Sequence, residues 1–152
     1  MPSLFMTSIW KTEIDLDIVN HRSKGTLCEY LNIRFIELGN NSLIASMPIN
    51  DIVKQPLGIM HGGASCILAE SVGSTAGNFC VNLKDFYCVG LDINTNHIKA
   101  IRSGIVFAKA TPLHLGRSTQ VWHIPIENEQ KQLISISRLT LAVIDRKKSR
   151  KE

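Results

Sequence analysis

Between Gln55 and Leu83 one side chain carries a full charge at neutral pH: Glu70, in the middle of a run rich in Ala, Ile, Leu, Val and Cys. That run reads as a helix from about Gly63, apolar nearly all round, and such a helix is buried rather than laid on a surface. The remaining elements must then be arranged around it. A carboxylate in that setting loses its solvation and needs either a partner or a task. Upstream, Gly58, His61, Gly62 and Gly63 lead into the helix start. Free backbone N–H groups and the positive dipole end there suit a developing negative charge on oxygen. A donor-rich helix start and a lone acid are the parts of an acyl-transfer site. The competing structural reading pairs Glu70 with an arginine such as Arg34 or Arg138, but isolated acids of this kind cluster at functional sites.

The flanks read as strands. Residues 11–30 alternate weakly, with Asp15 to His21 compatible with a short helix. Two apolar runs around Gly39-Asn40-Asn41 signal a hairpin. After the helix, Val89, Leu91 and Ile93 alternate with polar residues towards Lys99. Residues 104–111 and 118–127 follow, and 132–144 is a long last strand. Pro112 bounds the second of these, and Pro125 marks the third as an edge or a bulge. Two strands, one buried helix and four strands predict an α+β domain, an antiparallel sheet wrapped around one long central helix.

The chain's 152 residues suit a single domain over 1–152, long enough for a real core. No apolar run reaches the ~20 residues that span a bilayer, so no membrane segment is expected. The N-terminus has no secretory pattern, which makes a cytoplasmic location the default. Cys28, Cys66, Cys80 and Cys88 lack zinc-ligand spacing and read as reduced core residues, and the five histidines are not clustered, so no metal is expected. The net charge of +4 is concentrated in the tail 145–152, which has five basic and two acidic residues and reads as frayed and solvated. The body is nearly neutral, which removes the electrostatic case for a nucleic-acid partner.

The blocks KQPLGIMHGGASCILAES, GLDINTNHIKAIRSG, PLHLGRSTQVW and SRLTLAVI, in that order, resemble the hotdog-fold thioesterases. They are most similar to the branch that hydrolyses aromatic acyl-coenzyme A, including 1,4-dihydroxy-2-naphthoyl-coenzyme A of menaquinone biosynthesis. The resemblance runs from about Asn32 to Ile144. It implies that the Gly62 N–H binds the thioester carbonyl oxygen while His61 and Gln55 position the acyl group. It also implies that Glu70 is the nucleophile or the general base. Ser74, one turn onward on the same helix face, would orient the carboxylate or the water. No cofactor is implied, since coenzyme A is part of the substrate. Read without the family, Gln55 would tie down a loop, His61 would be a hydrogen-bonding histidine and Ser74 would bond its own backbone.

Gly62 and Glu70 are eight positions apart, roughly 12 Å along a helix. Both cannot touch one carbonyl at contacts of about 3 Å. If they act together they come from two subunits with antiparallel helices, a homodimer with shared sites related by two-fold symmetry. The resemblance implies the same, often as a homotetramer. Between Ile93 and Ile126 there is no acidic residue, while His97, Lys99, Arg102, Lys109, His114 and Arg117 are present. Such a bias suits the phosphates of coenzyme A. His97, Lys99, Arg102 and Arg117 fall in the family-like blocks, His114 is placed to shape a turn beside the pantetheine, and Lys109 reads as solvated. Met60, Leu68, Val72 and Phe79 are candidates for the acyl pocket, with core packing the equal alternative. A thioesterase acting on an acyl carrier protein, a non-catalytic acyl-coenzyme A sensor and a hotdog dehydratase are the alternatives.

Overall fold

The computed structural model describes residues 8–149. Asp15 caps a short helix α1 (Leu16–Arg22), its carboxylate accepting from Asp17 N–H at 2.8 Å. A second short helix, α2 (Leu27–Tyr30), follows. The hairpin forms as β1 (Arg34–Leu38) and β2 (Leu43–Pro48), closed by Gly39 N–H to Ser42 O at 2.8 Å. After a short 3-10 turn (Asp51–Val53) comes the long helix α3 (Gly62–Phe79). Four strands complete the chain: β3 (Phe86–His97), β4 (Ile105–Leu115), β5 (Thr119–Asn128) and β6 (Leu133–Asp145). All six belong to one antiparallel sheet in the order β1-β2-β4-β5-β6-β3. Strands β2 to β6 all contact α3, so the sheet wraps the helix as expected.

The helix is buried on one side only. Ala64, Ser65, Leu68, Ala69, Val72, Gly73, Ala76 and Gly77 face the sheet, while Cys66, Glu70, Ser71 and Ser74 are half-buried. The expectation of burial all round therefore fails for a single copy. The sheet-facing side is packed close. A Cβ on Gly73 would lie 2.5 Å from Leu139 Cδ2, and one on Gly77 would lie 2.6 Å from Gln120 Oε1. Gln120 is itself satisfied, donating to Gly77 O at 3.2 Å and accepting from the buried Trp122 Nε1 at 3.0 Å.

Several local expectations change. Pro125 lies in β5, an interior strand and not an edge. It pairs with Ile136 of β6, whereas pairing with β4 passes from Ala108↔Ile126 to Thr111↔His123. A residue without an N–H is tolerated at that gap. Pro112 does not end β4, which runs on to Leu115 through a register shift between Pro112 and His114. Val89, Leu91 and Ile93 do not share a face: a register shift between Gly90 and Asp92 leaves Val89 and Leu91 exposed and Ile93 half-buried. The C-terminal segment is docked as far as Arg146, and Lys147, Lys148 and Ser149 are exposed as a solvated tail would be. Asp145 pairs with Phe86, Arg146 N–H donates to Asp85 O at 2.9 Å, and Arg146 Nε donates to Leu83 O at 3.0 Å. The Arg146 guanidinium also covers the Tyr87 ring at 4.9 Å, and the segment closes in a single turn, α4 (Arg146–Ser149). Residues 150–152 of the tail lie outside the described residues. No helix among the described residues is long and apolar enough to cross a membrane.

Candidate active site

The loop before α3 is held by Gln55. Its N–H donates to Ile59 O at 2.9 Å and its carbonyl accepts from Gly58 N–H at 2.8 Å. Its side-chain Oε1 accepts from Leu57 N–H at 2.8 Å. Gly58 supplies a φ of +74° that the turn requires. The loop-tying reading of Gln55 is thus part of its work, but the amide nitrogen takes no share in these bonds.

His61 is the N-cap of α3: its Nδ1 accepts from Gly63 N–H at 2.8 Å, and its carbonyl accepts from Ala64 N–H at 2.9 Å. The amides of Gly63 and Ala64 are therefore taken, while that of Gly62 donates to no group among the described residues. Gly62 also lies under the His97 imidazole, where a Cβ would come within 2.8 Å of Nε2. A cavity of about 290 Å³ opens here, bounded by Gln55, Met60, Gly62, Ser65, His97 and Ile134 among others.

Glu70 is elsewhere. It lies on the half-buried side of α3, does not line that cavity, and is roughly 12 Å from Gly62 along an unbroken helix. Ser74 Oγ donates to Glu70 Oε1 at 3.3 Å. The carboxylate sits against Gly90 of β3, so closely that any Cβ at that position would collide with Oε1. Burial pushes the Glu70 carboxyl above the ordinary glutamate range, and the Ser74 hydrogen bond pulls partly the other way. Arg34 and Arg138 are exposed, and the one ion pair among the described residues is Lys54–Asp51 at 3.0 Å. The structural pairing of Glu70 with an arginine is absent.

A family model described as the thioesterase superfamily matches residues 57–135. The chain belongs to that superfamily. It is 45% identical to the 1,4-dihydroxy-2-naphthoyl-CoA hydrolase of Escherichia coli over 136 residues, 90% of this chain and 99% of that one. It is 56% identical to a Vibrio cholerae protein with a provisional esterase name, over 90% of each chain. A solved Pseudomonas aeruginosa thioesterase, a glutamine-to-alanine variant, superposes with a TM-score of 0.89 at 43% identity, covering 91% of this chain and 99% of that one. The fold is the hotdog fold of these enzymes, and the chain is a thioester hydrolase.

The basic residues of this thioesterase fall into two groups. His97, Lys99 and Arg102 stand near the Gly62 cavity: Lys99 Nζ donates to Gln132 Oε1 at 2.8 Å, and Arg102 Nη1 donates to Leu57 O at 2.9 Å. His114 and Arg117 are at the other end of the sheet. His114 packs over the β4–β5 turn, where a Cβ on Gly116 would lie 2.5 Å from its Nε2. Arg117 lines a broad cleft of about 1450 Å³ together with Lys11, Lys84 and Lys148. One copy of the chain therefore does not gather the five into a single site. Of the acyl-pocket candidates, Met60 lines the small cavity, Leu68 and Val72 are fully buried core, and Phe79 lies at the far end of α3. Gly90 and Ser65 were not singled out from the sequence. A glycine inside a strand pattern does signal a bulge or a close approach, so Gly90 carried a usable sign. Ser65, one helical serine among several, carried none.

Proposed function

We propose that this enzyme hydrolyses an aryl or related acyl-coenzyme A thioester in a site shared between two copies of the chain. The Gly62 N–H receives the carbonyl oxygen, Gln55 and the His61 cap hold the loop that presents it, and Glu70 attacks the carbonyl carbon or deprotonates the attacking water. Ser74 holds the carboxylate. Attack forms a carbon–oxygen bond, the tetrahedral oxyanion rests on the Gly62 amide, and collapse breaks the carbon–sulfur bond with the electron pair leaving on sulfur. Where Glu70 is the nucleophile, water then cleaves the acyl–Glu70 anhydride; on either route the water's oxygen stays in the acid and one of its protons ends on the coenzyme A thiolate. The products are the free acid and coenzyme A.

One observation carries the shared site: α3 and β3 touch at three points that run in opposite directions. Glu70 meets Gly90, Cys66 Sγ lies 3.4 Å from Thr95 Oγ1, and Gly62 lies under His97. Strand β3 is also an edge, twelve residues long, and carries the exposed Val89 and Leu91. An edge of that length is a template for pairing. Antiparallel pairing of β3 with its own copy, about a two-fold axis between Ile93 and Asn94, sets Gly90 opposite His97 of the second copy. Glu70 of one copy then approaches Gly62 of the other. The half-buried side of α3 is covered by the same contact.

The hydrolase of E. coli supports an aromatic substrate, and 1,4-dihydroxy-2-naphthoyl-coenzyme A in menaquinone synthesis is the first to test. A homotetramer and a cytoplasmic location complete the proposal. His97, Lys99 and Arg102 of one copy and His114 and Arg117 of the other are the candidate contacts for the phosphates and pantetheine.

Co-expression of two inactive variants, Glu70→Gln and Gln55→Ala, tests the arrangement directly. A shared site restores about a quarter of the wild-type sites in a random mixture of dimers, because each mixed dimer holds one intact centre. No recovery in verified mixed dimers rejects it. Thiol release from aryl-coenzyme A, fatty acyl-coenzyme A and acylated carrier protein ranks the substrates.

A further inference from the structure

Two side-chain polar atoms among the described residues are buried without any hydrogen-bond partner: Ser65 Oγ and Ser135 Oγ. Both residues are fully buried. Buried hydroxyls are nearly always bonded, so an orphan marks a missing partner. Ser65 belongs to the first turns of α3 and lines the 290 Å³ cavity beside the free Gly62 amide. A helical serine commonly bonds its own backbone, yet Ser65 does not. Ser135 shares the helix-facing side of β6 with Ser137 and Leu139, and pairs with His97 across the strands. Ser137, one step along, is satisfied: its Oγ lies 2.8 Å from Thr95 Oγ1. The unsatisfied pair thus sits at the Gly62 end of the helix, and the bonded serine lies further in.

Ile59, Met60, Ile98, Ile101 and Ile134 supply the apolar part of the wall, while Gln55, His97 and Lys99 supply its other polar side chains. The volume is at the small end for ligand cavities, enough for a ring-sized acyl group and far too small for the coenzyme A nucleotide. We infer that Ser65 is a specificity-determining residue: its hydroxyl bonds a polar substituent, such as a ring hydroxyl, on an aryl acyl group seated in this cavity. The inference rests on the acyl-coenzyme A reading above. It adds that the enzyme selects hydroxylated over unsubstituted aryl groups. A buried hydroxyl left without a partner rejects a ring that cannot satisfy it more strongly than apolar contacts discriminate by size.

The test compares kcat/KM for benzoyl-coenzyme A with that for the 2-, 3- and 4-hydroxybenzoyl thioesters, in wild type and in Ser65→Ala. Wild type is expected to favour at least one hydroxylated isomer, and Ser65→Ala to reduce that ratio about ten-fold. The melting temperature of Ser65→Ala is expected to stay level or rise, since a buried hydroxyl without a partner is removed. A ratio left unchanged by the substitution overturns the inference. So does a lowered melting temperature with all four thioesters slowed equally, which would mark Ser65 as a packing residue bonded to a buried water. If wild type releases no thiol from any of the four while remaining folded, the acyl-coenzyme A reading itself fails, not only the role of Ser65.

Discussion

The two ends of α3 are built to opposite rules. Towards Phe79 no buried side-chain nitrogen or oxygen among the described residues lacks a partner. Asn78 donates to Ser74 O at 2.9 Å and accepts from Cys88 N–H at 2.9 Å, and Gln120 and Trp122 close a buried chain onto Gly77. Burial, together with the neighbouring Cys88, pushes the Cys80 thiol up to about 12, and burial pushes Cys88 to about 11, so both stay protonated and inert. Towards Gly62 the accounting is left open. One amide is free, two hydroxyls are orphaned and a cavity opens beside them. Unmet polar groups are expensive in a fold alone, and they become useful when a substrate meets them. Glu70 sits between the two regimes, anchored by Ser74 yet on the half-buried side of the helix, away from the sheet-facing core.

The sharpest break in that contrast is Glu70→Gln. It keeps the shape and removes the charge, and kcat is expected to fall by about 10²–10⁴-fold with the fold intact. The same variant reads out the cost of the charge. Because the folded-state pKa of Glu70 is raised, the native protein binds the proton more tightly than the unfolded chain does. Wild-type stability therefore falls as pH rises from the ordinary glutamate range through the raised value, and Glu70→Gln does not share that loss. Melting curves against pH should show the variant gaining on wild type across that window. A parallel pair of curves would mean that Glu70 is not strained by burial.

The closed end should respond in stability rather than in chemistry. Gly77→Val forces a branched side chain into Leu141, Gln120 and Trp122, and is expected to cost about 1–3 kcal/mol in denaturant unfolding. A smaller effect is expected at the open end. His61→Ala removes the cap and should cost about 1 kcal/mol, while His61→Asn restores it. If the asparagine variant recovers stability and not turnover, His61 contributes chemistry beyond the cap. The mildest change is Ser74→Ala. Loss of the bond that lowers the Glu70 pKa should move the acid limb of kcat/KM to higher pH, since the carboxylate must be ionised to act. A limb that stays in place would show that Ser74 does not act on Glu70.

How much could be read beforehand differs by kind of feature. The start of α3, its lone acid and the Gly39-Asn40-Asn41 hairpin were legible because they depend on local composition and periodicity. The extent of β3 and β4 was not, because a register shift at Gly90 and another after Pro112 are decided by the neighbouring strand. Pro125 was legible in half: it lies one residue from the β5–β6 register shift at Ile126–Glu127, as a bulge reading expects, but on an interior strand and not an edge, which only the neighbouring strands decide. The five basic residues formed one group in the sequence and two groups in space, since β3 and the β4–β5 turn emerge at opposite ends of the sheet.

By itself, then, the order of residues settled the architecture, the family and the spacing that keeps Gly62 and Glu70 from meeting on one helix. These follow from chain-local geometry, a rise per residue and an apolar period, which need no knowledge of what lies across the fold. Only the tertiary structure decided that Gly90 has no Cβ because a carboxylate occupies its place, and that Ser65 faces a cavity with nothing to bond. Whether a polar group is satisfied depends on the atoms that long-range packing brings to it, and no local pattern along the chain records them.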